Sequence, residues 1–129
     1  MKLISRIYEY RLPTKDEWEE IAAIDFTPKI KAKIDKEHKI NGNFFDPSRT
    51  KRSDVKTLTG QAGSYYPNSI GIFDIFGNVS EYISEKGIAK GGSWQTDQKE
   101  CTVQKYYYYD KPNNHLGFRC VCVKLKETK

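Results

Sequence analysis

Apolar and polar positions alternate in two different rhythms along this chain, and long stretches follow neither. Between Arg11 and Asp25 the rhythm is helical. Trp18, Ile21 and Ala22 recur at three- and four-residue spacing, which predicts a helix with Trp18 and Ile21 toward the core. A start signal precedes it. Thr14 is placed as N-cap and Glu17 follows three residues later, the two ends of a capping box. Pro13 stops any helix entering from upstream, and Asp16 and Glu17 suit the positive end of the helix dipole. At the other end of the chain, Leu116 to Lys124 has the two-residue rhythm of a strand. Phe118, Cys120 and Cys122 fall on one face, and Arg119, Val121 and Val123 on the other. Cys101 to Tyr109 is also strand-like. In its run Tyr106-Tyr107-Tyr108-Tyr109, two rings are expected inward and two outward.

The remainder is less regular. Thr27 to Lys39 spaces isoleucines among lysines and reads as a short helix or as a mobile excursion. Residues 41–68 are rich in Gly, Asn, Ser, Asp and Pro, the composition of loops and turns. A loop region this long in a small domain needs something to hold it, and a metal ion is one candidate. Gly91-Gly92 marks a tight bend beside a short strand. No internal repeat and no linker divides the 129 residues, so one domain is expected.

Composition narrows the picture. Charged residues make up 30 % of the chain, but aromatic residues reach 13 %, too many for a disordered segment. The formal net charge of +5 comes largely from Lys29, Lys31, Lys33, Lys36 and Lys39 and from Lys124, Lys126 and Lys129. Lysine dominates arginine there, acids are interleaved and no nucleic-acid motif is present, so a solvated surface is expected and no nucleic-acid partner. No stretch approaches the ~20 apolar residues of a transmembrane segment. The first six residues form no signal peptide. The expectation is an internal protein, or one whose leader lies outside this sequence. Cys101, Cys120 and Cys122 show no zinc spacing, and their redox state stays open.

Four segments in order carry a resemblance: RLPTKDEWE from Arg11, PNSIGIFDIFGNVSEY from Pro67, KGGSW from Lys90 and HLGFRC from His115. Together they resemble the formylglycine-generating-enzyme, or sulfatase-modifying-factor, family. The resemblance implies an α+β, loop-rich variant of the C-type-lectin-like fold with a small antiparallel sheet. It implies one domain over residues 1–129. Only about ten residues precede RLPT, so the expectation is a shortened member lacking the family's N-terminal segment, or the C-terminal part of a longer one. Surface left bare in this way favours a partner chain or a homo-oligomer.

Two chemistries follow from that likeness. Asp74 and Glu81 are two carboxylates seven residues apart, with a Gly-Asn bend between them. Hard cations take six to eight oxygens, and such a bend can turn carbonyls inward. In the resemblance Asp74 and Glu81 match side-chain calcium ligands, and Gly77 and Val79 match carbonyl ligands. The plainer reading has the two acids capping turns or pairing with lysines. A second calcium site maps to Asn43 and Asp54 by side chain, with Phe44 and Lys56 by carbonyl. Copper is not expected. The family's enzymes hold it between two active-site thiols, and copper(I) needs soft sulfur ligands. Those positions map to Thr96 and Cys101, and Thr96 carries no thiol. The family's GNVWEW reads GNVSEY here, which puts Ser80 where the cleft tryptophan stands. The residues Ser80, Ser93, Thr96 and Cys101 are thus expected to line a cleft that has lost its oxidase chemistry. His115 is read as surface. Arg119 is read as a structural arginine that bonds loop carbonyls. The function implied is a non-catalytic, calcium-stabilised interaction module that binds protein or glycan in the cell envelope, and the alternative is an enzyme with altered cysteine and copper chemistry. Outward tyrosines in the Tyr106–Tyr109 run suit binding, because they offer area at little entropy cost. They suit equally well the cover of a bare flank.

Overall fold

In the computed structural model, residues 7–37, 42–45 and 59–125 are described. Strand β1 (Tyr8–Arg11) leads into helix α1 (Lys15–Ala22), and α2 (Pro28–Glu37) follows. Four short strands come next: β2 (Ser80–Tyr82), β3 (Ile88–Lys90), β4 (Tyr106–Tyr108) and β5 (Leu116–Gly117). A 3₁₀ turn (Gln98–Glu100) precedes β4, and β6 (Val121–Lys124) closes the series. The architecture is α+β and loop-rich, as the sequence implies. Among the described residues no helix is long and apolar enough to cross a membrane.

Helix α1 starts where the cap signal places it. The Thr14 hydroxyl accepts from the Glu17 amide at 3.1 Å, and the Glu17 carboxylate accepts from the Thr14 amide at 2.9 Å. Arg11 adds a fork, donating to both Glu17 oxygens at 2.7 and 2.9 Å. That guanidinium, then the Thr14 amide, holds the Glu17 carboxyl down at about 2. The arrangement ties the end of β1 to the first turn of α1. We expect Thr14→Ala to lower stability by about 1 kcal/mol in urea unfolding, because it strips one orphan donor of its partner. A loss within error would show that Arg11 and Glu17 hold the turn alone.

The Lys-rich stretch resolves into α2. Thr27 accepts from the Ile30 amide at 3.3 Å. Ile30 and Ile34 are half-buried on one side while the lysines lie outside. Of residues 41–68, those described (42–45 and 59–68) contain neither helix nor strand.

The strands form two sheets. β1 and β6 make an antiparallel ribbon with Tyr10 opposite Cys122. The second sheet has the order β4-β3-β2-β5, antiparallel except that β5 runs parallel to β2. The expected terminal strand is therefore two strands. Leu116–Gly117 belongs to the four-stranded sheet, and the chain leaves it at Phe118 to pair with β1 from Val121. The two-residue alternation persists across the break: Phe118, Cys120 and Cys122 are exposed, and Arg119, Val121 and Val123 are half-buried.

The core is small. Trp18, Ala22, Ile75 and Ile83 form it, with Ile21, Ile72, Phe76, Ile88 and Val103 packed around. Trp18 meets Phe76 edge-on at 5.9 Å. Gly91 lets the chain pass this cluster. Its φ is +93°, and an added Cβ would stand 2.6 Å from the Ile75 carbonyl oxygen and 3.1 Å from the Trp18 ring.

Candidate functional site

The segment from Asp74 to Glu81 is built as a tight excursion. Asp74 and Asn78 both lie in the left-handed region, with φ of 53° and 63°. The Gly77 amide donates to the Gly91 carbonyl at 2.9 Å, and the Asn78 amide donates to the Asn43 carbonyl at 2.8 Å. The bend is thus stitched to the Gly91-Gly92 turn on one side and to Asn43 on the other.

Glu81 points inward and is 4 % exposed. Its Oε2 accepts from the Trp18 indole at 2.9 Å, and its Oε1 accepts from Arg119 Nε at 2.7 Å and from a second nitrogen of the same guanidinium. Arg119 then donates to the carbonyls of Phe73 and Asp74 at 3.0 Å each. Burial pushes the Glu81 carboxyl up, and the Arg119 charge and its hydrogen bonds pull it back. The Asp74 carboxylate lies close enough for its charge to push the Glu81 carboxyl up as well, and its Oδ2 accepts from the Gly63 amide at 3.1 Å.

Asp74, Val79 and Glu81 of the first calcium set line one open pocket, with Arg119 beside them. A calcium ion needs oxygen ligands that converge on one point. Both Glu81 oxygens are already engaged by N–H donors, and a guanidinium supplies the positive charge beside them. Among the described residues the charged side chain that pairs with Glu81 is Arg119 rather than a lysine. Among the described residues no group of three or more His, Cys, Asp or Glu side chains is arranged to hold a metal ion. Of the second calcium set, Asn43 and Phe44 are buried, and Asn43 donates to the Asn78 side chain at 3.1 Å. Asp54 and Lys56 lie outside the described residues.

The second feature is an open cleft of about 410 Å³ on the four-stranded sheet. Ser80, Ser93, Gln95, Thr96, the three tyrosines of β4 and His115 line it. Ser80 enters from β2, with its amide held by the His115 carbonyl at 2.8 Å. Ser93 and Thr96 close a turn. The Thr96 amide donates to the Ser93 carbonyl at 3.0 Å, and Thr96 Oγ1 accepts from the Ser93 amide at 3.0 Å. The tyrosines alternate as expected: Tyr106 and Tyr108 are exposed, while Tyr107 and Tyr109 are half-buried. The Tyr107 hydroxyl donates to the Glu100 carbonyl at 2.6 Å. Tyr106 and Tyr108 stack edge-to-face at 5.5 Å.

Cys101 sits beneath this cleft rather than on its lining. Gly92 has φ of +72°, and a Cβ there would meet Cys101 Sγ and would stand 3.3 Å from Thr96 Cβ. Thr96 and Cys101 therefore flank the same glycine, which is the pairing that the family alignment implies. Burial, and next the Asp97 carboxylate, push the Cys101 thiol up to about 11. A thiol raised in this way is a weak nucleophile near neutral pH, because attack needs the thiolate. Cys120 and Cys122 are exposed beside and on β6 and do not line the cleft. A thiol pair fit for copper is therefore not present at this cleft.

The cleft brings together Ser80, Ser93 and Thr96 of the sequence reading with three residues of the tyrosine run, and adds Gln95 and His115. His115 was read as surface. It lines the cleft because β5 pairs in parallel with β2 and carries the preceding residue alongside Ser80.

Comparison with known proteins gives the family. The model of the sulfatase-modifying factor enzyme 1-like domain matches residues 2–124. No curated protein matches the chain. Among solved structures, Treponema denticola variable protein 1 is similar at 24 % identity with a TM-score of 0.62, over 90 % of this chain and 48 % of that one. CarF is similar at 23 % identity with a TM-score of 0.60, over 91 % and 48 %. PvdO from Pseudomonas aeruginosa is similar at 19 % identity with a TM-score of 0.60, over 90 % and 53 %. At these identities the likeness is one of fold. The chain spans about half the length of these solved relatives.

Proposed function

This chain belongs to the sulfatase-modifying factor enzyme 1-like family, and from that membership we propose that it is a binding member that does not catalyse. Its cleft on the four-stranded sheet is the recognition site, and its partner is a protein or a glycan of a cell-envelope assembly. The observation that carries this reading is the pair flanking Gly92. Thr96 uses its hydroxyl to close a turn with Ser93, and Cys101 is a single, half-buried thiol. A hydroxyl is a poor ligand for copper(I), and one thiol cannot hold the ion linearly.

The test is oxidase chemistry itself. Purified protein is supplied with copper(I), dioxygen and a cysteine-containing peptide, and oxygen uptake and aldehyde formation are followed. Neither is expected above the copper-only control. Aldehyde formed in proportion to protein, and lost in Cys101→Ser, would instead establish an enzyme with altered thiol chemistry.

A further inference from the structure

We infer that the cleft recognises a neutral, polyhydroxylated ligand, a glycan without charged substituents. The inference rests on the reading of the chain as a binding member and names the ligand class of that site.

The lining carries the argument. No Asp, Glu, Lys or Arg lines the cleft among the described residues, although the chain as a whole is 30 % charged. An organic cation would find no carboxylate there, and an anion would find no guanidinium or ammonium. No aliphatic side chain lines it either, so a peptide would gain no apolar anchor. What lines it is hydroxyl, amide, imidazole and phenol. The volume of about 410 Å³ lies within the roughly 300–1,000 Å³ of small-ligand sites.

Two features fit a sugar in particular. A pyranose has an apolar C–H face and a rim of hydroxyls. Tyr106 and Tyr108 offer exposed aromatic rings for the face, already ordered against each other by edge-to-face contact, with hydroxyls 3.4 Å apart. Ser80 answers the rim. It is 3 % exposed and lines the cleft. It stands where the family pattern has tryptophan, so the cleft is opened at this point and offers a hydroxyl there.

The experiment is calorimetric titration of the full chain with neutral hexasaccharides of the gluco-, manno-, xylo- and N-acetylglucosamine series, with alginate and hyaluronan hexasaccharides as acidic controls. At least one neutral series should bind, and the acidic controls should not bind more tightly. Tyr108→Ala removes a ring that is 81 % exposed, so folding is untouched. It should weaken binding roughly tenfold, the size of one lost aromatic contact. Ser80→Trp restores the bulk of the family pattern and should abolish binding, with an unchanged far-ultraviolet spectrum as the folding control. Binding that survives both variants would place the site elsewhere and overturn the inference, and so would tighter binding of the acidic controls. Failure of every neutral series would overturn it too. In that case, capture of peptides from a random library, lost in Ser80→Trp, would leave the binding reading intact. Copper-dependent aldehyde formation would remove that reading itself.

Discussion

Arg119→Met should be among the most damaging single substitutions in this protein, costing about 3–5 kcal/mol in equilibrium unfolding, because it leaves Glu81 charged and buried without its partner. Glu81 is 4 % exposed, and after the change it keeps only the Trp18 indole as a donor. The carbonyls of Phe73 and Asp74 lose their donor at the same time, which frees the left-handed turn at Asp74. The pH dependence identifies the cause. Burial already raises the Glu81 carboxyl, and Arg119 is the main influence against it. Without Arg119 the folded variant holds this group above its unfolded value of about 4.3. A group raised in this way contributes stability that is present below the unfolded value and lost as pH rises through the folded one. The deficit against wild type is therefore expected to be smallest near pH 5 and to widen toward pH 8. Calcium and chelator should leave the wild-type unfolding midpoint unchanged, since the guanidinium already serves as counter-ion. A deficit that does not vary with pH, or a midpoint that rises with added calcium, would sink this account of the Asp74–Glu81 segment.

How much of this was legible beforehand depends on the range of the interaction. The capping box of Thr14 and Glu17 spans three residues and could be read directly. So could the burial of Trp18 and the alternation of Tyr106 to Tyr109. Helix α2 was left open between helix and excursion, although Thr27-Pro28 gives a cap followed by the residue preferred at the first helical position. Ile30 and Ile34 alone were too few apolar positions to decide. The Asp74–Glu81 pair shows how local reading falls short. Two acids around a Gly-Asn bend look alike whether a metal, a lysine or an arginine closes them. Arg119, 38 residues away, reaches Glu81 because the chain leaves the sheet at Phe118. The same departure splits the expected terminal strand in two. His115 joins the cleft through a parallel pairing that no periodicity announces. Ser80, Ser93 and Thr96 were legible because their positions came with the family motifs, and the tyrosine wall was legible only as a face with two uses.

The second large effect concerns the other side of Trp18. Lys90 is 0 % exposed, with its ammonium 2.8 Å from a Glu19 oxygen, 2.7 Å from the Val103 carbonyl and 5.4 Å from the Trp18 ring centroid. Trp18 is thus held between two ion pairs, Glu81–Arg119 at its indole nitrogen and Glu19–Lys90 at its face. Glu19→Ala should cost about 3 kcal/mol, the lower end for breaking a buried pair, because Glu19 itself keeps some contact with solvent. Lys15 also bonds Glu19, but its charge lies at the surface, and Lys15→Met should leave stability nearly unchanged. The double variant Glu19→Ala, Lys90→Met removes both charges and should recover most of the loss. It falls short of wild type by the Val103 carbonyl, which is left without a donor at a cost of about 1 kcal/mol, the low end, because Val103 is only half-buried. The acid limb again separates the cause from simple loss of packing. Lys90 first, and Lys15 after it, hold the Glu19 carboxyl below its usual range. The stability it contributes is present above the unfolded value of about 4.3 and is lost as pH falls through the lower folded value. The gap between wild type and Glu19→Ala should therefore hold from pH 8 to 5 and close only in stronger acid, a window below that of Arg119→Met. A gap that is the same at pH 3 as at pH 7, or a double variant no more stable than Glu19→Ala, would mean that Glu19 contributes packing rather than the counter-charge of a buried lysine.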